Sequence, residues 1–93
     1  MNTIEKLSLI DGTFDNEEAK EILMNLFSTK IHFHELKNFS SQERFAKNCE
    51  TSQKRIPELK KGKETANEIV LEAKAKNKRL MITSVIQISL VDD

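Results

Sequence analysis

Residues 57–79 read PELKKGKETANEIVLEAKAKNKR, and this stretch decides the fold. Leu59, Ala66, Val70 and Ala73, with Ile56 just before them, step by three and four residues if Lys63 fills the one missing place. That spacing draws a stripe down one side of an α-helix. Leu71 and Ile69 widen the stripe, and Glu and Lys fill the other face. Pro57 and Gly62 weaken the first turns, because proline removes a backbone donor and an interior glycine costs up to about 1 kcal/mol against alanine. The helix is expected over 57–79, firmest over 63–78, and the rest of the chain must cover its stripe.

A second helix start stands upstream. Asp15 and Glu18 fit a capping box, Phe14 and Ala19 sit where a hydrophobic staple closes, and the acidic first turn suits the positive end of the helix dipole. From there Ala19, Ile22, Leu26, Thr29, Phe33 and Leu36 keep helical spacing. Lys30-Ile31-His32-Phe33-His34 also alternates like a strand, but no Gly or Pro interrupts the longer helical register, so a helix is expected over 16–38. Residues 39–54 are then left as a loop, long for a helix–helix connection, with a capping-box match at Ser40 and Glu43 and with Phe39 and Phe45 needing cover.

Strands flank the helices. Leu7-Ser8-Leu9-Ile10 is short and apolar and is closed by Asp11-Gly12, which gives a strand over about 5–11. At the other end Leu80, Ile82, Ile86, Ile88 and Leu90 share one face of a strand over about 80–91, opposite the more polar Met81, Thr83, Gln87 and Ser89. Two helices joined by one connection fold back antiparallel, which brings the two strands together. The expected fold is therefore α+β, a single β-α-α-β domain with a long antiparallel helical hairpin packed on a small antiparallel sheet. Two strands alone are marginal, and the longer C-terminal strand offers an apolar edge. A homodimer built on Ile82, Val85, Ile86, Ile88 and Leu90 is expected to complete the sheet.

The totals agree with a small domain that seeks a partner. Ninety-three residues with 38% hydrophobic content give a thin core, since a chain of this size buries only about two thirds of its unfolded surface. A net charge of zero argues against a generic binder of nucleic acid or anionic membrane. There is no apolar run near the roughly 20 residues of a membrane span, no secretory signal pattern, and Cys49 is alone, so a cytoplasmic protein is expected.

Charge is segregated along the hairpin. Residues 30–63 hold nine basic groups and four acidic ones, a net of +5 at the loop end, and the remainder holds −5. Phe39, Arg44, Phe45, Lys47, Lys54, Arg55, Lys60 and Lys61 are the expected partner-binding residues, four of them crowding a helix N-terminus where the dipole disfavours cations. Such a patch suits an acidic protein surface or a phosphate backbone, although solvated lysines are its commonest meaning. Nucleic acid is less favoured, because no Tyr or Trp is present for stacking.

Chemistry has few footholds. His32 and His34 would converge on a metal from a strand, but on a helix residues two apart diverge, so a metal site there is a weak alternative. Cys49 has cations nearby that favour a thiolate, yet a single loop cysteine is usually neither catalytic nor structural. With only Gly12 and Gly62, no phosphate-binding loop exists, and no cofactor is expected. The sequence favours a small interaction or adaptor module over an enzyme.

Overall fold

In the computed structural model, which describes residues 4–46 and 49–92, the chain runs β1 (Ile4–Phe14), α1 (Asn16–Phe45), α2 (Glu50–Ala75) and β2 (Leu80–Ser89). The helices pack against each other and the strands form a two-stranded antiparallel sheet, which is the expected α+β architecture in the expected order.

Several boundaries move. Asp15 caps α1 through the capping box, with the Glu18 N–H donating to Asp15 Oδ1 at 2.8 Å and the Asp15 N–H to Glu18 Oε1 at 3.3 Å. From there α1 continues past residue 38 to Phe45, because no Gly or Pro stands in its way, and the Ser40–Glu43 match lies inside a continuous helix. Ala46 ends it in a left-handed conformation (φ 55°), its N–H bonded to the Gln42 carbonyl. Helix α2 already starts at Glu50 and carries Pro57 inside. Of the loop expected over 39–54, residues 39–45 and 50–54 are therefore helical. At its other end α2 stops at Ala75, not at 79. Asn77 takes φ 54°, and the Lys78 and Asn77 N–H groups donate to the Ala73 and Lys74 carbonyls, the two bonds of a Schellman turn.

The first strand covers Ile4–Phe14 rather than 5–11. Asp11 and Gly12 do not turn; they pair with Thr83 and Ile82. With β2 ending at Ser89, the strands are 11 and 10 residues long, so the mismatch in length that the sequence suggested is absent. A register shift between Ser8 and Ile10 leaves Leu9 unpaired. This bulge puts Leu7 and Ile10, three residues apart, on one face of the sheet with Ile82, Ile86 and Ile88.

The stripe of α2 is buried as expected through Leu59, Ala66, Val70 and Ala73, and it extends back to Ser52. Ile69 and Leu71 do not widen it; both stay exposed. On α1 the inward row keeps only Ala19 of the one expected. Ala19, Ile31 and His34 are buried, with Leu23 and Phe27 partly covered between them, whereas Leu26, Phe33 and Leu36 face outward. Gly62 helps to select this row: a Cβ there would lie 2.8 Å from Phe27 Cε1, so its absence lets the ring lie against α2.

The core is graded along the hairpin. At the sheet end it is apolar, built from Ala19, Val70, Ala73 and Leu80 with Phe14, Leu23 and Ile82 against them. Towards the tip it turns polar, with His34 and Ser52 buried. The sheet meets the helices mainly at this apolar base. Beyond it, sheet and α1 part to leave an open cleft of about 740 Å³. The molecule is correspondingly extended, with a radius of gyration of 16.6 Å against about 12 Å for a compact chain of this length.

Candidate functional site

The tip of the hairpin gathers the polar chemistry. His34 lies within the buried row of α1, only 6% exposed, and its Nδ1 stands 2.9 Å from Ser52 Oγ. Ser52 is fully buried and sits on the α2 stripe one step before Ile56, the helical position that faces His34. One layer nearer the tip, Asn38 Oδ1 accepts the Cys49 N–H at 2.8 Å, tying the start of α2 to α1.

Cys49 is the N-cap residue of α2 and is partly buried. Its sulfur closes no capping hydrogen bond, yet the Ser52 hydroxyl first, and then the Ser52 N–H, favour the ionised thiol more than its partial burial opposes it. Lys37 and the Thr51 N–H act in the same direction, so the thiol pKa is lowered. His34 is pushed the same way for other reasons. Burial disfavours the imidazolium, and the Lys30, Arg55 and Lys37 charges add to that, so its pKa lies below the ordinary histidine value. Imidazole and hydroxyl thus join the two helices, and the same hydroxyl acts on the Cys49 thiol.

Residues 30–34 are helical, so His32 and His34 do not converge. His34 points inward and His32 is exposed. Among the described residues no group of three or more His, Cys, Asp or Glu is arranged to hold a metal ion.

The expected partner-binding residues are spread rather than gathered. Phe39 and Arg44 lie on the last turns of α1, both exposed. Lys54 and Lys61 share the outward face of α2, seven residues apart, and Arg55 and Lys60 flank it on opposite sides. Arg55 is paired with Glu58 at 3.0 Å. Because α2 starts at Glu50, these cations do not crowd its first turn. Lys47 lies outside the described residues, as does the side chain of Phe45.

The expected dimer residues divide between the two faces of the sheet. Ile82 is partly buried in the core, Ile86 and Ile88 are exposed on the same face, Val85 points to the opposite face beside Ser8, and Leu90 lies past the end of β2. The cleft beside this sheet is lined by Leu9, Ile10 and Ile82 on one side and by Leu26 and Phe33 of α1 on the other, with Leu59 at its floor.

Two features escaped the sequence reading. Ser52 could have been found by continuing the α2 stripe back through Ile56, which marks it as a polar residue at a core position. The cleft has no local signal, since it depends on the angle between sheet and hairpin. The chain matches no family model, and no curated protein or solved structure is significantly similar to it. No helix among the described residues is long and apolar enough to cross a membrane.

Proposed function

We propose that this chain is a homodimeric protein–protein interaction module whose basic hairpin tip receives an acidic partner. One observation carries the dimer. The chain exposes 7598 Å², whereas a compact monomer of 10.7 kDa exposes about 5,500 Å². Leu7, Ile86 and Ile88 are among the exposed apolar side chains, which a solitary domain gains by covering. Stable homodimers commonly bury areas of this order, about 1,000–2,500 Å² per partner.

The tip follows from charge. The +5 of residues 30–63 lies on the distal half of the hairpin, and Lys54 and Lys61 face solvent there. Rim charges of this kind steer association and set partner choice. Sedimentation equilibrium from low to high micromolar concentration tests the dimer, and a chain that stays monomeric throughout rejects it. Capture of host proteins on immobilised chain, compared with a Lys54→Glu, Lys61→Glu variant, tests the tip; an unchanged set of bound proteins rejects that surface.

The same charge supports a second reading, a nucleic-acid-binding regulator using residues 44–63. Affinity for a mixed duplex or single strand would then fall steeply between 50 and 200 mM salt, as expected for about six to ten phosphate contacts. Absence of binding at low salt excludes it.

A further inference from the structure

We propose that the cleft between the sheet and α1 is the seat of a second copy of this chain, with the apolar sheet face of each copy lying on the outer row of the other copy's α1. This inference rests on the dimer reading and adds the surface and the mode of assembly.

The first ground is that α1 has two apolar rows. The inner one, Ala19, Leu23, Phe27, Ile31 and His34, is covered by α2 and the base of the sheet. The outer one, Ile22, Leu26, Thr29, Phe33 and Leu36, steps by four and three residues, the spacing of a packing seam. Leu26, Phe33 and Leu36 in it are 39%, 51% and 55% exposed. A helix apolar on two sides belongs between two layers, and this chain supplies one of them.

The second ground is the sheet. Its bulge at Leu9 gathers Leu7, Ile10, Ile82, Ile86 and Ile88 on one face. The helices cover the base of that face and leave Leu7, Ile86 and Ile88 in the open. The chain thus carries both an uncovered helix row and an uncovered sheet face, meeting at the cleft. A two-fold axis uses both at once, because each contact then occurs twice.

Area and charge point to a copy rather than to an unrelated partner. The surplus exposure, about 2,100 Å² per chain, falls within the range of obligate homodimers and well above the roughly 800 Å² per partner of a standard interface. Lys30 and Lys37 flank the distal half of the outer row, away from Glu18 at its start, and Lys30 Nζ stands 4.7 Å from the centre of the Phe33 ring. On the sheet face, Glu5 lies opposite Ile88. Sheet on α1 therefore sets a carboxylate against the lysine-flanked row.

Sedimentation equilibrium of the full chain, with circular dichroism as a check on folding, tests the surface. Phe33→Glu and Ile86→Glu should each raise the dimer dissociation constant by about 30-fold or more, as loss of a central anchor does. Leu71→Glu, equally exposed on α2 but outside the cleft, should leave it unchanged. A monomeric parent chain overturns both this inference and the dimer reading. A dimer that both the Phe33 and the Ile86 substitution leave intact overturns this inference alone.

The mode is tested by disulfide formation in a Cys49→Ser background. Chains carrying Phe33→Cys, mixed with chains carrying Ile86→Cys, should oxidise mainly to the heterodimer. Homodimers of the Ile86→Cys chain in excess would place sheet on sheet and overturn the arrangement. Should a glutamate variant lose its circular dichroism spectrum, radical footprinting of the parent chain above and below its dissociation concentration decides. Concentration-dependent protection of Phe33, Leu36 and Ile86 supports the inference, and unchanged reactivity at these residues rejects it.

Discussion

His34 Nδ1 and Ser52 Oγ, 2.9 Å apart and shielded from solvent, join the two helices at a core layer where apolar side chains would otherwise meet. Every buried side-chain polar atom among the described residues has a partner, so this layer is fully satisfied. A buried polar pair fixes helix register, because sliding one arm past the other would strand both groups.

The pair makes stability depend on pH. Burial, then Lys30, Arg55 and Lys37, lower the His34 pKa in the folded chain. Near and below the ordinary histidine value of about 6.5, the unfolded chain therefore binds more protons than the folded one, and stability falls as pH drops through that window. Urea midpoints measured from pH 8 to 5.5 should decline below pH 7 in the parent chain. The decline should flatten in His34→Gln, which removes the titrating group; an equal slope in both would assign it elsewhere.

Ser52→Ala removes the hydroxyl from both neighbours. The buried imidazole loses its partner, and the melting temperature should fall by about 4–8 °C. The same substitution takes away the largest influence lowering the Cys49 pKa. In the parent chain the rate of thiol alkylation against pH should give a midpoint below the usual value of about 8.5, and Ser52→Ala should move it upward. A midpoint that does not respond to Ser52 would rule out the hydroxyl as its cause.

Ala46 holds φ 55° at the end of α1, a conformation that costs a residue with a Cβ about 1–2 kcal/mol. Ala46→Gly relieves this and loosens the unfolded chain, so a net gain of about 0.5–1 kcal/mol is expected in chemical denaturation. A loss would show that the turn favours the alanine side chain.

Pro57 sits in the interior of α2, where it deprives the Gln53 carbonyl of a helical donor. It is also exposed, so alanine can replace it without opening a cavity. Pro57→Ala should stabilise the chain by about 2 kcal/mol, the helix term of about 3 being offset by greater freedom in the unfolded state. If stability falls instead, the bend that proline favours is needed for the helices to pack.

Local chemistry was legible where it is self-contained. The capping box at Asp15 depends on residues three apart, and the α2 stripe on a period that only one side of that helix satisfies. The ends of the helices are not set by local propensity alone, because packing partners decide how far each helix runs. Pro57 and Gly62 weaken the helix locally, yet α2 runs on past both and begins seven residues before the proline. Ser40 and Glu43 looked like a cap, yet no chain break precedes them. Asn77 was the overlooked sign of the α2 terminus, since asparagine tolerates the left-handed turn that a Schellman ending requires.

By itself the sequence determined the order of the elements, the starting point of α1 and the inward face of α2. Only the tertiary structure decided which of two apolar rows on α1 turns inward, because both repeat with the helical period and local periodicity cannot choose between them. The choice falls to complementarity: Gly62 opens room for Phe27, and Ser52 satisfies His34. The row left outside, and the cleft beside it, exist only once that choice is made.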